Sequence, residues 1–394
     1  MTSLGPIFAD DLARIKPGDR LRLTISAQTS DAAALAQAAL EARARGERVL
    51  VVCADPADVP RLAQEMPWFE PKLDVRPLPD WETLPYDVLS PQEELVSERL
   101  EALYRLTAPT GGADVLLTSA VTASQRLSPV SYIGANTFFF HQGEQISLTT
   151  LQKRLAAAGY ANVKQVLAAG EFAVRGSIVD VFPMGSERPF RLDFFDDEIE
   201  SIRWFDVDTQ RSMESAEEIR LLPGHEFPVD PEALLAFRQR WRREFAGDPK
   251  KSIVYCDIEK EILPPGIEYY LPLFFDETAA LTDYLPPNAR VFLLGDIEVA
   301  LQAFGRDMAS RYKVLAADPQ RPALAPERIW LKPEEFFKSL ANFARFTVEK
   351  KENAEDLKRL TGIEVDRKSQ NPVGKLLERT RESAMKGVRT LIAA

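Results

Sequence analysis

Two textures of apolar and polar residues follow one another along this chain, and the change between them divides it. Through residues 1–131 short apolar runs alternate with stretches of helical period. These are a strand Leu21 to Ile25, a helix from about Asp31 to Arg45, a strand Val49 to Cys53, helices near Ala57 to Glu65 and Glu93 to Leu106, and a strand Val115 to Thr118. Strands that alternate with helices predict an α/β domain with a parallel sheet. Gly46 stands just past the first helix, where a residue tolerant of positive φ is favoured, and the Pro-rich stretch Arg76 to Pro91 predicts a long ordered loop.

From about Tyr132 the pattern turns to short strands of period two, preceded by a helix near Leu148 to Ala158 that Gly159 stops. Phe172 to Phe182, Phe190 to Phe195 and Ile199 to Phe205 read as three antiparallel strands, broken at Pro183-Met184-Gly185-Ser186 and at Asp196-Asp197. Residues 132–222 are therefore expected to form an α+β insert with an antiparallel sheet. In the middle strand, alternation puts Phe190, Leu192 and Phe194 on one face and Arg191, Asp193 and Phe195 on the other, so one aromatic ring sits among charges. Single exposed aromatics are ordinary, but an aromatic beside an Arg is also the composition of a protein-binding hot spot. The run Leu192 to Glu198 has the look of a strand ending in magnesium-binding carboxylates. Because Asp196-Asp197 joins two alternating strands, it is assigned to a turn.

After Leu222-Pro223-Gly224 the mixed texture returns, with an amphipathic helix near Pro231 to Phe245 and an apolar strand Val291 to Leu294. Residues 1–131 and 223–349 are expected to make one domain that the insert interrupts. Residues 350–371 are charged and poor in large apolar side chains, as a linker is. A helix near Val373 to Ser383 and the final VRTLIAA are expected to open a further α/β domain within residues 372–394, the chain being part of a longer protein.

With 394 residues the chain exceeds one ordinary core, which agrees with a multi-domain α/β architecture. A net charge of -11 argues against a protein whose main work is gripping nucleic acid, since phosphate contacts supply that affinity. Two distant cysteines, Cys53 and Cys256, suit a reducing cytoplasm better than a disulfide scaffold. With His141 and His225 the only histidines, a zinc site or a Ser-His-Asp triad is set aside. The N-terminus lacks a basic segment followed by an apolar core, so no secretion signal is read, and no apolar run approaches bilayer length.

The runs GEFAVRGSIVDVFP and SERPFRLDFFDDEIESIRWFD, with the earlier LPDWETLPYDVLSP and SERLEALYRL, closely resemble the N-terminal region of the bacterial transcription-repair coupling factors, the Mfd family. The resemblance covers nearly the whole chain, and the stretch from GEFAVRG to DTQRS is also shared with the excision-repair subunit UvrB. It implies a degenerate helicase-like domain interrupted by a UvrA-binding domain, whose binding positions fall here on Arg175, Arg191 and Phe195. It further implies a non-catalytic adaptor that recruits UvrA to stalled RNA polymerase. RNA polymerase and double-stranded DNA are then partners of regions C-terminal to this chain, where an ATP- and magnesium-dependent motor belongs. Strand parity agrees for Arg191 and Phe195, whereas Arg175 has an alternative reading as a cross-strand pair with Asp193. Arg188 and Arg203 read as solvated charges.

The rival is a UvrB-type nucleotide-dependent repair enzyme, which needs a glycine-rich phosphate loop after the first strand. The matching turn, Ser26-Ala27-Gln28-Thr29-Ser30-Asp31, holds neither Gly nor Lys, and Asp31 would repel an anion. No cofactor is expected in this chain. Trp81 and Tyr86 are read as loop aromatics docked on the first domain in preference to a stacking platform for single-stranded DNA. Only Asp87 to Pro91 separates Tyr86 from the next helix, which leaves no room for the DNA-clamping hairpin that UvrB carries there.

Overall fold

The structure is a computed structural model that describes residues 14–26, 31–108, 112–351, 371 and 373–387. Its strands are β1 (Arg20–Ser26), β2 (Val49–Cys53), β3 (Val75–Pro77), β4 (Val115–Ser119), β5 (Phe138–His141), β6 (Ala161–Asn162) and β7 (Glu171–Arg175). They continue as β8 (Ile178–Val181), β9 (Phe190–Phe195), β10 (Glu198–Phe205), β11 (Ser212–Ala216), β12 (Glu218–Leu221), β13 (Arg290–Leu294) and β14 (Ala344–Lys351).

The first sheet is parallel throughout, in the order β1-β14-β13-β2-β4-β3. Strands from after the insert thus lie between β1 and β2, which come from before it. Neither flanking segment can complete this sheet alone. The sequences VLVVC, VLLTS and RVFLL are buried along their whole length, which is what a parallel sheet covered on both faces requires. Arg290 is tolerated in that row because Glu47 accepts two hydrogen bonds from its guanidinium.

On one face of this sheet lie α1 (Asp31–Ala44) and α2 (Asp58–Phe69), where Ala32, Ala36 and Ala39 let α1 approach closely. The other face shares one apolar cluster with α3 (Glu93–Thr107), through Leu100 and Leu103, and with the insert, through Phe172, Leu192 and Phe194. The insert is therefore docked by its core. Its sheet runs β11-β10-β9-β8-β7-β6, antiparallel apart from the β6–β7 pair. The helix α4 (Leu148–Ala157) adds Leu151 and Leu155 to the same core. Ser147 caps it by accepting the Thr150 N–H at 3.2 Å, and Gly159 follows its end at φ +91°.

Two expectations need correction. Phe172 to Phe182 is not one strand, because Gly176, at φ +63°, turns the chain so that β7 pairs back on β8 with Arg175 opposite Ile178. Among so many Val, Ile and Phe residues, Gly176-Ser177 was the only mark of that turn. Trp81 and Tyr86 are docked as expected, but onto the segment that follows the insert. They join an aromatic cluster with Phe227, with Phe237 and Trp241 of α5 (Pro231–Glu244), and with Tyr269 and Trp330. Trp81 is buried and Tyr86 donates its hydroxyl hydrogen to the Leu324 carbonyl at 2.9 Å, so neither ring is open for stacking bases.

A 19-residue helix α6 (Ile297–Leu315), left unassigned by the sequence reading, packs Leu301 and Met308 inward behind the Asp296 cap. The β14 strand extends to Lys351, two residues into the stretch read as a linker. Beyond it, α7 (Gly374–Met385) is the described helix near the C-terminus. The rest of the expected linker and the final apolar strand lie outside the described residues. No helix among the described residues is long and apolar enough to cross a membrane.

The loop holding Trp81 and Tyr86 also meets Glu268, whose carboxylate accepts the Ser90 hydroxyl at 2.8 Å. Burial pushes the Glu268 pKa up to about 7. Because the folded value lies above the usual carboxylate value, the stability it confers is complete below about pH 4.5 and is lost as pH rises through 7. Glu268→Gln is expected to raise the melting temperature at pH 8 and leave it unchanged at pH 4.5, as read by paired thermal melts.

Candidate protein-binding face on the inserted sheet

The antiparallel sheet has one covered and one open side. Phe172, Val179, Val181, Phe190, Leu192, Phe194 and Ile202 point into the shared core. Ala173, Arg175, Ile178, Asp180, Arg191, Asp193, Phe195 and Arg203 occupy the opposite side by register. Over part of that side the chain at Val163 and Val166 covers Ala173 and Phe205. Beyond that cover, Phe195 and Arg203 are exposed.

Phe195 stands there 69% exposed, the aromatic ring that parity places among charges. It ends β9 just before a two-residue turn, with Phe195 opposite Glu198 and Asp196 at φ +52°. The Asp196-Asp197 pair is thus a hairpin turn, as the sequence suggests. No group of three or more His, Cys, Asp or Glu suited to a metal ion occurs among the described residues.

Arg175 and Arg191 converge on a residue that the sequence reading passed over. Asp180, buried at 1% exposure, accepts the Arg191 Nε–H at Oδ1 (2.6 Å) and a terminal N–H of the same fork at Oδ2 (2.9 Å). Arg175 donates a further bond to Oδ2. Direct pairing of Asp180 with Arg191 across β8 and β9 explains the two-pronged contact. The other terminal nitrogen of Arg191 donates to the Gln210 carbonyl (3.1 Å) and the Ser212 hydroxyl (3.2 Å), and the guanidinium lies 5.0 Å from the centre of the Phe205 ring. Hydrogen bonding to Asp180 raises the Arg191 pKa further, so the group stays charged at any working pH.

The two arginines consequently differ. Arg191 retains 13% of its side-chain exposure and Arg175 retains 48%. The Arg191 fork is engaged inside the sheet by Asp180, Gln210 and Ser212. The alternative partner for Arg175 is corrected: Asp193 accepts instead from the Ser201 hydroxyl at 2.9 Å. Arg188 and Arg203 are exposed and form no ion pair among the described residues, in keeping with solvated charges. A carboxylate inside the apolar run Ile178 to Val181 was the available signal for Asp180, since a buried charge demands a partner.

Arg175 and Phe195 stand at the same end of the sheet, as the Phe194 N–H donates at 2.9 Å to the Ser177 carbonyl in the turn that follows Arg175. A cation held by one oxygen on the same face as an exposed aromatic can meet an acidic, partly apolar protein surface.

Comparison with known families matches residues 138–227 to the UvrB interaction domain, which contains all of these residues. Over 298 residues the chain is 42% identical to the transcription-repair-coupling factor of Escherichia coli, an alignment covering 75% of this chain and 26% of that protein. The protein of the same name from Haemophilus influenzae is 44% identical over 277 residues, 70% of this chain and 24% of its own length. That of Bacillus subtilis is 32% identical over 216 residues, 51% of this chain and 18% of its own length. The chain thus spans about a quarter of the length of the first two relatives.

Proposed function

We propose that this chain, which is similar to about a quarter of the length of the transcription-repair-coupling factors and matches the UvrB interaction domain over residues 138–227, is the module through which such a factor recruits UvrA. Residues 132–222 are the recognition domain, and residues 1–131 and 223–349 form the scaffold that holds it. One observation carries the reading: within the matched domain, Phe195 lies 69% exposed on the charged face of a sheet whose other face is core. Arg175 and Phe195 make the contact, and Arg191 supports the same face through Asp180. In the longer protein, RNA polymerase and double-stranded DNA are partners of other regions, and the setting is the cytoplasm. Titrating the chain with purified UvrA is expected to give saturable binding, and no heat at tens of micromolar would remove the reading.

The chain itself is proposed to work without nucleotide. Residues 27–30 of the turn that matches the UvrB phosphate loop lie outside the described residues, but Asp31 at its end is described. Asp31 accepts two bonds from Arg61, at 2.9 and 2.8 Å, and the Ala32 N–H at 3.0 Å. A fixed carboxylate therefore sits at the N-terminus of α1, where a phosphate would have to bind. Titration with a fluorescent ATP analogue and magnesium is expected to show no saturable site. A micromolar site would restore the UvrB-type enzyme.

A further inference from the structure

Asp180 carries more than packing. A carboxylate at 1% exposure is retained in a sheet only with compensation, and here both compensating cations belong to the proposed binding face. Arg191 takes both carboxylate oxygens and spends its other terminal nitrogen on Gln210 and Ser212. Arg175 shares Oδ2 alone, leaving the rest of its half-exposed fork with no other partner among the described residues. One oxygen thus fixes where Arg175 stands without using up its donors.

We infer that Asp180 is a positioning residue, which locks Arg191 as a brace beneath the surface and holds the half-exposed fork of Arg175 on the face that carries Phe195, to receive a carboxylate of the partner. The inference rests on the UvrA reading of this face and adds a division of labour to it. Arg175 is a contact, Arg191 a support, and Asp180 acts through Arg175. The partner chemistry follows: a surface carboxylate that engages a planar fork, together with an apolar recess for one aromatic ring on the same face.

Affinity for purified UvrA, measured on the full chain with thermal melting of each variant, tests this. Asp180→Asn is expected to weaken binding roughly tenfold, as losing a charge-assisted hydrogen bond does. Arg175→Ala is expected to weaken it at least as much, and the double variant no more than Arg175→Ala alone. Unchanged binding in Asp180→Asn, or losses that simply add in the double variant, would overturn the inference. Should Asp180→Asn fail to fold, two lysine variants decide the matter. Arg175→Lys is expected to lose affinity at an unchanged melting temperature, and Arg191→Lys to lower the melting temperature with the smaller affinity loss. A larger affinity loss in Arg191→Lys overturns the division of labour. Phe195→Ala separates the levels: if it binds like the parent chain, the face itself is misassigned, whereas lost binding there with full binding in Asp180→Asn sinks the positioning role alone.

Discussion

Glu226→Ala is expected to cost this chain about 3 to 5 kcal/mol of stability, the loss typical of breaking a buried ion pair from one side. Arg99, at 0% side-chain exposure, donates to both Glu226 oxygens, to the Pro79 carbonyl at 2.7 Å and to Gln125 Oε1 at 2.9 Å. Trp81 Nε1 donates to the same carboxylate at 3.2 Å. Removing Glu226 strands a buried guanidinium and an indole N–H together. These contacts join α3, the loop after β3 and the exit of the insert, so the loss is felt where the recognition domain meets its scaffold. Urea unfolding with tryptophan fluorescence measures it. Arg99→Met combined with Glu226→Leu is expected to be less damaging than Glu226→Ala, because no charge is left without its partner. A midpoint unchanged in Glu226→Ala would show that the pair does not hold this junction.

The second large effect separates recognition from folding. Arg175→Ala with Phe195→Ala is expected to cost about 3 kcal/mol or more of UvrA binding, since a hot-spot residue is worth about 2 kcal/mol or more when truncated. Melting should stay close to that of the parent chain, because both side chains are substantially exposed and Arg191 still pairs with Asp180 in the variant. Phe194→Ala should do the reverse, opening a cavity on the buried face that costs about 3 to 5 kcal/mol. Arg191→Ala is unsuited to the comparison, as it would leave Asp180 with only the single bond from Arg175. A double variant that binds UvrA normally would remove Arg175 and Phe195 from the interface.

The parts of this fold legible in the sequence are those where local pattern and tertiary demand agree. VLVVC and VLLTS read as buried strands because a covered parallel sheet accepts little else, and FRLDFF declares its two faces by alternation. Gly176 was harder, since a turn without Pro, Asn or Asp leaves apolar residues continuous on both sides. The α6 helix escaped notice because exposed Val299 and Val314 blur its apolar stripe. At the candidate site, parity found Phe195 and placed Arg191 on the right face. It could not find how the Arg191 fork is used, because Asp180, Gln210 and Ser212 come together only through strand pairing and the β10–β11 connection. Sequence spacing gives the face of a side chain, whereas the partner that satisfies it depends on the neighbouring strand.

Hydrogen–deuterium exchange of the chain with and without purified UvrA tests the central claim most directly. The account predicts slower exchange in β7 to β10, centred on Arg175, Arg191 and Phe195, with the loop around Trp81 and the edge strand β1 unchanged. Protection confined to that loop or to the parallel sheet, with the β7–β10 face exchanging as in the free chain, would contradict it.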